Sequence, residues 1–396
     1  MPNSDIRKIL DNPRPGVLSK NQLIKLCEES VISGVSDSSV ACGLSAIDLH
    51  ISSECWEMKG GSIKPHGDRY NTFLQKSDWR KTPNDDGLFE LDREKTYVFK
   101  IIEKLQLGAG NLLHGQATAK STIGRTDVLA RLIVDGESKY EGFDNKSGNH
   151  DMYLEVTPIT FNVNLMEGIS LSQLRLFYGD PELSKVNNKE LPLYGEDILS
   201  IPGRDKLDDL RSLSVDLSNI EVGGETGAAF SAKTDLPQPF DLWKKENESD
   251  KPAPKDFWDL KKSENNRFLI DNNAFYILRS IQRISMPPHL AVYCKAMDKS
   301  IGEMRIHYAG FVHPYFGTKR SDDKKGTPLI FEVRGHNVNV SLGHEEILAK
   351  LEYYRMSEIP EPEKEKGYME QELELSKIFQ EWPMINSKPI DTLKDK

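Results

Sequence analysis

Two short stretches carry residue types that could bind and convert an anionic metabolite. Residues 120–125 read KSTIGR, so one turn supplies two cations and two hydroxyls. Gly124 gives this turn a backbone that can approach an anion, which suits the binding of a phosphate chain. Residues 152–157 read MYLEVT, in which strand alternation separates Glu155 from the apolar face. The alternatives are an ordinary polar turn and a solvent-facing carboxylate, and the GxxxxGK[ST] spacing of a Walker loop is missing.

Composition limits the function classes that these residues can serve. The chain has 396 residues and a formal net charge of -10, with no basic stripe along it. This distribution argues against binding to nucleic acid polymers or to anionic membrane surfaces. No signal-like segment or apolar run long enough to cross a bilayer is visible, so we expect a cytoplasmic protein with two domains.

The elements that would position the two motifs are mostly short strands. Runs such as TYVFKIIEKLQL and FYILRSIQRISM are β-branched and aromatic, and turn residues separate them. A helix is predicted after Ser19, which forms a capping box with Gln22. A second helix is predicted over 366–382, where an apolar stripe would comprise Leu375, Ile378, Phe379 and Trp382.

Several of these runs occur twice in the same order, which indicates two copies of one β-rich unit. LSAIDLHI at 44–51 is echoed by LSVDLSNI at 213–220, and MYLEVTPITFNVNL is echoed by LIFEVRGHNVNVSL. We therefore predict a first unit over 1–205 that carries the motifs. A second, degenerate unit over 206–356 and an acidic helical tail over 357–396 would follow.

The motifs together resemble those of the dCTP deaminase family in its two-unit form. The stretches that carry the resemblance are GVLS, SAIDL, AKSTIGR followed by DVLARL, and MYLEVTPITFNVNLMEGISLSQLRL. The resemblance implies a mainly β fold of two tandem dUTPase-like (β-clip) units with a few short helices. It also implies hydrolysis of dCTP to dUTP and ammonia, in sites formed between β units of a trimer-like homo-oligomer.

The resemblance also assigns roles to residues of the first unit. Ser121 and Arg125 match the serine and the closing arginine of the family's arginine-serine motif, and Lys120 replaces its leading arginine. Thr122 stands at the second hydroxyl, where phosphate contact is expected. Glu155 matches the catalytic glutamate.

These assignments are chemically consistent with deamination without a catalytic metal. The HxE and PCxxC signature of zinc deaminases is missing, so a carboxylate must activate water. Glu155 would shuttle a proton from water to the ring, Arg125 would keep it ionised, and Ser121 would orient the water or the base. Lys120 and Thr122 would bind phosphate oxygens, with Mg²⁺ accompanying the triphosphate.

The second copy departs from the motif and is predicted to be a structural partner that lines a neighbouring site. Lys299 and Glu303 stand at the serine and arginine positions, so the arginine's charge is inverted. Glu332 occupies the place of the first unit's glutamate. His313 stands where the family usually has an aspartate, and a structural role is expected for it.

Two other functions remain open from the sequence. One is a dUTPase or a bifunctional enzyme, although the glycine-rich, phenylalanine-containing C-terminal motif of dUTPases is missing. The other is a non-catalytic nucleotide sensor, which the retention of a complete serine, arginine and glutamate set disfavours.

Overall fold

The structure is a computed structural model of the whole chain. It describes residues 5–195, 197–204, 207–234, 236, 238–243, 247–297, 304–307, 310–318, 325–362 and 370–384. Over these residues the protein is mainly β, as predicted. No helix among them is long and apolar enough to cross a bilayer.

The helices are short. They are α1 (Ile6–Ile9), α2 (Lys20–Glu28), α3 (Ser38–Ala41), α4 (Ser121–Gly124), α5 (Pro181–Ser184) and α6 (Pro254–Phe257). Single 3-10 turns lie at Tyr70–Leu74, Ser77–Trp79, Leu191–Leu193 and Glu248–Asp250. The predicted capping box of α2 is confirmed, because Ser19 and Gln22 exchange side-chain and main-chain hydrogen bonds.

The first half of the chain forms one large sheet and part of a small one. Its strands are β1 (Gly16–Val17), β2 (Ile32–Ser33), β3 (Ile47–Glu57), β4 (Arg80–Lys81), β5 (Leu88–Leu91), β6 (Tyr97–Leu107), β7 (Leu113–Ala119), β8 (Val128–Val134), β9 (Gly142–Phe143), β10 (Gly148–Pro158), β11 (Val163–Met166) and β12 (Ser170–Tyr178). The large sheet has the order β8-β10-β6-β3-β12-β7-β9, while β11 pairs with β5.

The second half repeats this arrangement. Its strands are β13 (Leu199–Ser200), β14 (Ser212–Asp216), β15 (Ile220–Val222), β16 (Glu225–Gly227), β17 (Ala229–Ala232), β18 (Phe240–Asp241), β19 (Trp258–Lys261), β20 (Arg267–Ile270), β21 (Phe275–Ile284), β22 (Leu290–Ala296), β23 (Met304–His307), β24 (Phe311–Val312), β25 (Thr327–Gly335), β26 (Val340–Gly343) and β27 (Ile347–Arg355). Its large sheet runs β19-β17-β21-β14-β27-β22-β24, and β26 pairs with β20 as β11 pairs with β5. The shared pairing pattern is the structural counterpart of the sequence repeat.

The change from the first unit to the second lies earlier than the predicted boundary at residue 205. Val186 and Ile198 belong to the hydrophobic core of the second half, and β13 pairs with β21. The chain therefore enters the second unit soon after β12 ends at Tyr178. The apolar residues of this connecting segment explain the shift, since they are buried against the second sheet.

The helical tail predicted after residue 356 is wrong where the structure describes it, because residues 370–384 contain no helix. Phe379 packs in this segment against Phe240, Phe257 and Trp258, with ring centroids 5.1, 5.4 and 6.1 Å away. Tertiary burial of this segment replaces the local helical hydrogen bonds, since a short helix has little stability of its own. We call residues 370–384 the C-terminal segment.

Candidate active site

A cavity of about 380 Å³ lies between the two units. The first unit contributes the 120–125 motif, including Ser121 and Arg125, together with Asp48. The second unit contributes Glu332 and the stretch around His313. The cavity therefore combines one motif from each half of the chain.

The 120–125 motif forms a single helical turn between β7 and β8. Lys120 lies just before α4 and makes an ion pair with Asp48, while Ser121 is exposed at the start of α4. Lys120, Ser121 and Thr122 all line the cavity, so the structure brings these predicted residues together. Gly124 is buried inside the turn and is not among the lining residues, so its expected contact with a phosphate is not supported by its position.

Arg125 ends this turn and is buried, with 2% of its surface exposed. Its Nη1 donates to the carbonyl oxygens of Glu374 at 3.1 Å and Leu375 at 3.4 Å, and its Nη2 donates to Oε1 of Gln371. Gln371 also donates through Nε2 to the carbonyl oxygen of Pro328, at 2.9 Å. The C-terminal segment thus fixes the guanidinium of the first unit and contacts β25 of the second.

Glu332 is the carboxylate that the fold brings to this cavity. It lies on β25 and is 5% exposed. Burial raises the pKa of Glu332 well above its usual range, while the charge of Arg125 opposes this shift and that of Asp127 adds to it. Arg125 and Glu332 line the same cavity, one from each unit.

Glu155 lies elsewhere, which corrects the expectation that it would stand beside Arg125. Its Oε1 accepts hydrogen bonds from Nε of Arg131 at 3.0 Å and from Nη2 of the same residue. Its Oε2 accepts from the hydroxyls of Ser62 and Tyr140, the latter at 3.1 Å. Glu155 is 2% exposed and does not line the cavity. The physical reason is local, because Ser62, Tyr140 and Arg131 all donate hydrogen bonds to this carboxylate and enclose it.

His313 lines the cavity from the second unit. Its Nδ1 shares a hydrogen bond with Oγ of Ser45 at 2.7 Å, across the two units. Burial lowers the pKa of His313 to about 3, and the nearby Arg175 and Lys120 act in the same direction. The ring is therefore neutral at neutral pH, which suits the structural role predicted for it and also leaves it in contact with the cavity.

Some parts of the site were missed from the sequence. The sequence repeat aligns Glu332 with Glu155, but the acidic residue Glu303 at the arginine position predicted a second unit without catalytic residues. Lys299 and Glu303 themselves lie outside the described residues. No sequence motif marked Gln371 as a site residue, because residues 366–382 were predicted to form a helix in an acidic tail.

Comparisons with known proteins agree with this two-unit arrangement. The family model described as the N-terminal domain of 2′-deoxycytidine 5′-triphosphate deaminase matches residues 14–180. The model of the C-terminal domain of the same enzyme matches residues 188–379. The crystal structure of 2′-deoxycytidine 5′-triphosphate deaminase from Agrobacterium tumefaciens is similar, with a TM-score of 0.76 and 25% identity over 87% of this chain and 97% of that chain. No curated protein matches the sequence significantly.

Proposed function

The chain belongs to the dCTP deaminase family and hydrolyses dCTP to dUTP and ammonia, and we propose that Glu332 is the general base of this reaction, in the cavity between the units. One observation supports this choice above the others. Glu332 shares the cavity with Ser121 and Arg125, whereas Glu155 is enclosed by other side chains. The role of general base, which the motif alignment assigned to Glu155, is thus proposed for its counterpart Glu332 in the second copy.

The proton transfers of deamination require a carboxyl group that can both accept and donate. Glu332 takes a proton from the water that attacks C4 of the pyrimidine and delivers it to the adjacent ring nitrogen. A further transfer to the exocyclic amine releases ammonia and leaves the C4 carbonyl of uracil. A raised pKa suits this shuttle, because proton transfer is most efficient when the catalytic pKa is near the working pH.

Arg125 and Ser121 supply the polar groups around the reacting centre. The buried guanidinium stabilises the ionised form of Glu332 after it has delivered its proton. Ser121 is exposed to the cavity and offers a hydroxyl to the attacking water or to the base. A preorganised donor of this kind typically contributes about two to three powers of ten in rate.

The triphosphate is proposed to lie along the start of the motif. Lys20, Lys120 and Thr122 line the same cavity and offer two ammonium groups and a hydroxyl. Such donors suit phosphate oxygens, and Mg²⁺ would enter bound to the triphosphate itself. A cytoplasmic location suits a dissolved nucleotide substrate of this kind.

The groups named here come from the two units of one chain. Assembly into a homo-oligomer with trimer-like packing stays a prediction. Light scattering of the purified protein during size-exclusion chromatography would measure the number of chains.

The experiment is to incubate the purified protein with dCTP and follow ammonia and dUTP. Wild-type protein is expected to form both in equal amounts, and Glu332→Gln is expected to lose about two to four powers of ten in kcat. Full activity in folded Glu332→Gln would reject the assignment. Pyrophosphate released from added dUTP would reveal the bifunctional alternative, and tight dCTP binding without ammonia would indicate a sensor.

A further inference from the structure

A second pair of opposite charges joins the two units. Its members lie two residues after Arg125 in the first unit and two residues after Glu332 in the second. Asp127 follows Arg125 in the first unit, and Arg334 follows Glu332 in the second. Nε of Arg334 donates to Oδ2 of Asp127 at 3.1 Å, and Nη2 donates to the same oxygen. The side chains are 12% and 0% exposed, so this ion pair is buried where the units meet.

Both members of the pair are held by further hydrogen bonds. Thr160 donates through Oγ1 to Oδ2 of Asp127 at 2.6 Å, and the main-chain N–H of Asp127 donates to the carbonyl oxygen of Gly124 at 3.0 Å. Nη1 of Arg334 donates to the carbonyl oxygen of Asn273 at 2.7 Å. Asp127 is therefore fixed to the turn that carries the motif, and Arg334 is fixed to its own unit.

Strand geometry links Arg334 directly to Glu332. Residues two apart on a strand point to the same face, so both side chains of β25 face the first unit. The first copy differs, because Thr157 stands two residues after Glu155 and its hydroxyl bonds that of Thr96 at 3.0 Å. The arginine is thus a feature of the strand that supplies the cavity's carboxylate, and the repeated fold does not require it.

We propose that Asp127 and Arg334 are positioning residues, whose ion pair holds Glu332 in register with Arg125 for deamination. This inference rests on the proposed function of Glu332. A buried ion pair adds little net stability, because desolvation offsets much of the attraction. The two directional hydrogen bonds from Arg334 to one oxygen of Asp127 nevertheless constrain the relative position of the two side chains. Position matters here, since a displacement of about 1 Å in a catalytic group can lower a rate roughly 100-fold.

The same pair also sets the charge around Glu332. The groups that influence its protonation are Arg125 and Asp127, and the neighbouring thiol of Cys294 is neutral because burial raises its pKa to about 12. Removing the charge of Asp127 should lower the pKa of Glu332. Burial already raises the pKa of Asp127, and Arg334 opposes this shift, so removing the charge of Arg334 should leave the Asp127 carboxyl neutral and lower the pKa of Glu332 as well.

The test compares Asp127→Asn, Arg334→Gln and Arg334→Lys in the full-length protein. We expect kcat for dCTP to fall about 10- to 100-fold in the first two variants, with a much smaller change in KM. Arg334→Lys should recover part of this loss, because it keeps the charge but not the forked donors. The apparent pKa of Glu332, read from the pH dependence of kcat/KM, should move down in both Asp127→Asn and Arg334→Gln, because each removes the negative charge of Asp127.

Arg131→Gln is the matched control. Arg131 binds Glu155 with the same geometry, through Nε and Nη2 to one carboxylate oxygen, but outside the cavity. The Arg131→Gln variant should have lower thermal stability than wild type but the same kcat and the same pH profile of kcat/KM. Unchanged kcat and pH profile in folded Asp127→Asn or Arg334→Gln would overturn the inference, even if Glu332→Gln is inactive. An active Glu332→Gln would instead refute the proposed function.

Discussion

Glu155 and Glu332 occupy equivalent strands of the two units, yet their surroundings differ completely. Glu155 is bound by Arg131, Ser62 and Tyr140, and its four hydrogen bonds use both oxygens. Glu332 instead faces a cavity that the other unit completes. The comparison shows that two glutamates at equivalent positions can have different neighbours, because different segments of the chain pack against each strand.

The first unit encloses its glutamate with its own chain. Residues 58–79 contribute Met58, Tyr70 and Trp79 to an aromatic cluster that also contains Trp56 and Tyr153. Tyr70 and Tyr153 pack with ring centroids 5.6 Å apart. Ser62 and Tyr140 donate hydrogen bonds to Glu155 beside this cluster, which supports our proposal that Glu155 is a structural residue.

The largest contrast is expected between Glu155→Gln and Glu332→Gln in dCTP deamination. Glu155→Gln should keep kcat close to that of wild type, so the two variants should differ by about two to four powers of ten. Ammonia release under saturating dCTP measures this contrast. Comparable losses in both variants would show that the two glutamates are not functionally distinct.

The next effect concerns folding of the first unit. Glu155→Ala should lower the free energy of unfolding by about 2–3 kcal/mol, because it leaves Arg131 and two hydroxyls without their acceptor. Urea unfolding of Glu155→Ala beside the exposed Glu221→Ala provides the comparison. Equal stability of these variants would contradict the structural role of Glu155.

The free energy of unfolding should depend on pH through the protonation of Glu332. The pKa of Glu332 is raised in the folded protein, so its neutral form stabilises the fold. This contribution to the free energy of unfolding is complete below the unfolded pKa of about 4.5 and is lost as the pH rises towards the folded pKa. Glu332→Gln should remove this decline, which is about 1.4 kcal/mol per pH unit within that window. Unfolding free energies of both proteins between pH 5 and 8 would show it, and parallel curves would count against a raised pKa.

The smallest effects are expected from the hydroxyls that enclose Glu155. Ser62→Ala and Tyr140→Phe should each lower the free energy of unfolding by about 0.5–1.5 kcal/mol, since each removes one hydrogen bond to the carboxylate. Both should keep the wild-type kcat. A large loss of deaminase activity in either variant, with folding intact, would connect this region to the chemistry.

Much of the fold could be predicted from the sequence because its signals are local. The capping box of Ser19 and Gln22 and the strand that contains Glu155 depend on residues only a few positions apart, although both faces of this strand are buried around Glu155. The repeat likewise predicted two β units, since the same strand pattern recurs in the same order. The tail was mispredicted because Phe379 and its neighbours satisfy a helical period but are buried by distant aromatic rings.

The sequence by itself determined the β-rich repeat, the motif that contains Ser121 and Arg125, and the presence of one glutamate in each copy. Only the tertiary structure decided which glutamate meets that motif. Local patterns fix the face of a strand on which a side chain lies, whereas its partner depends on how two distant units pack. That packing places Glu332 and Arg125 in one cavity and encloses Glu155 behind Arg131.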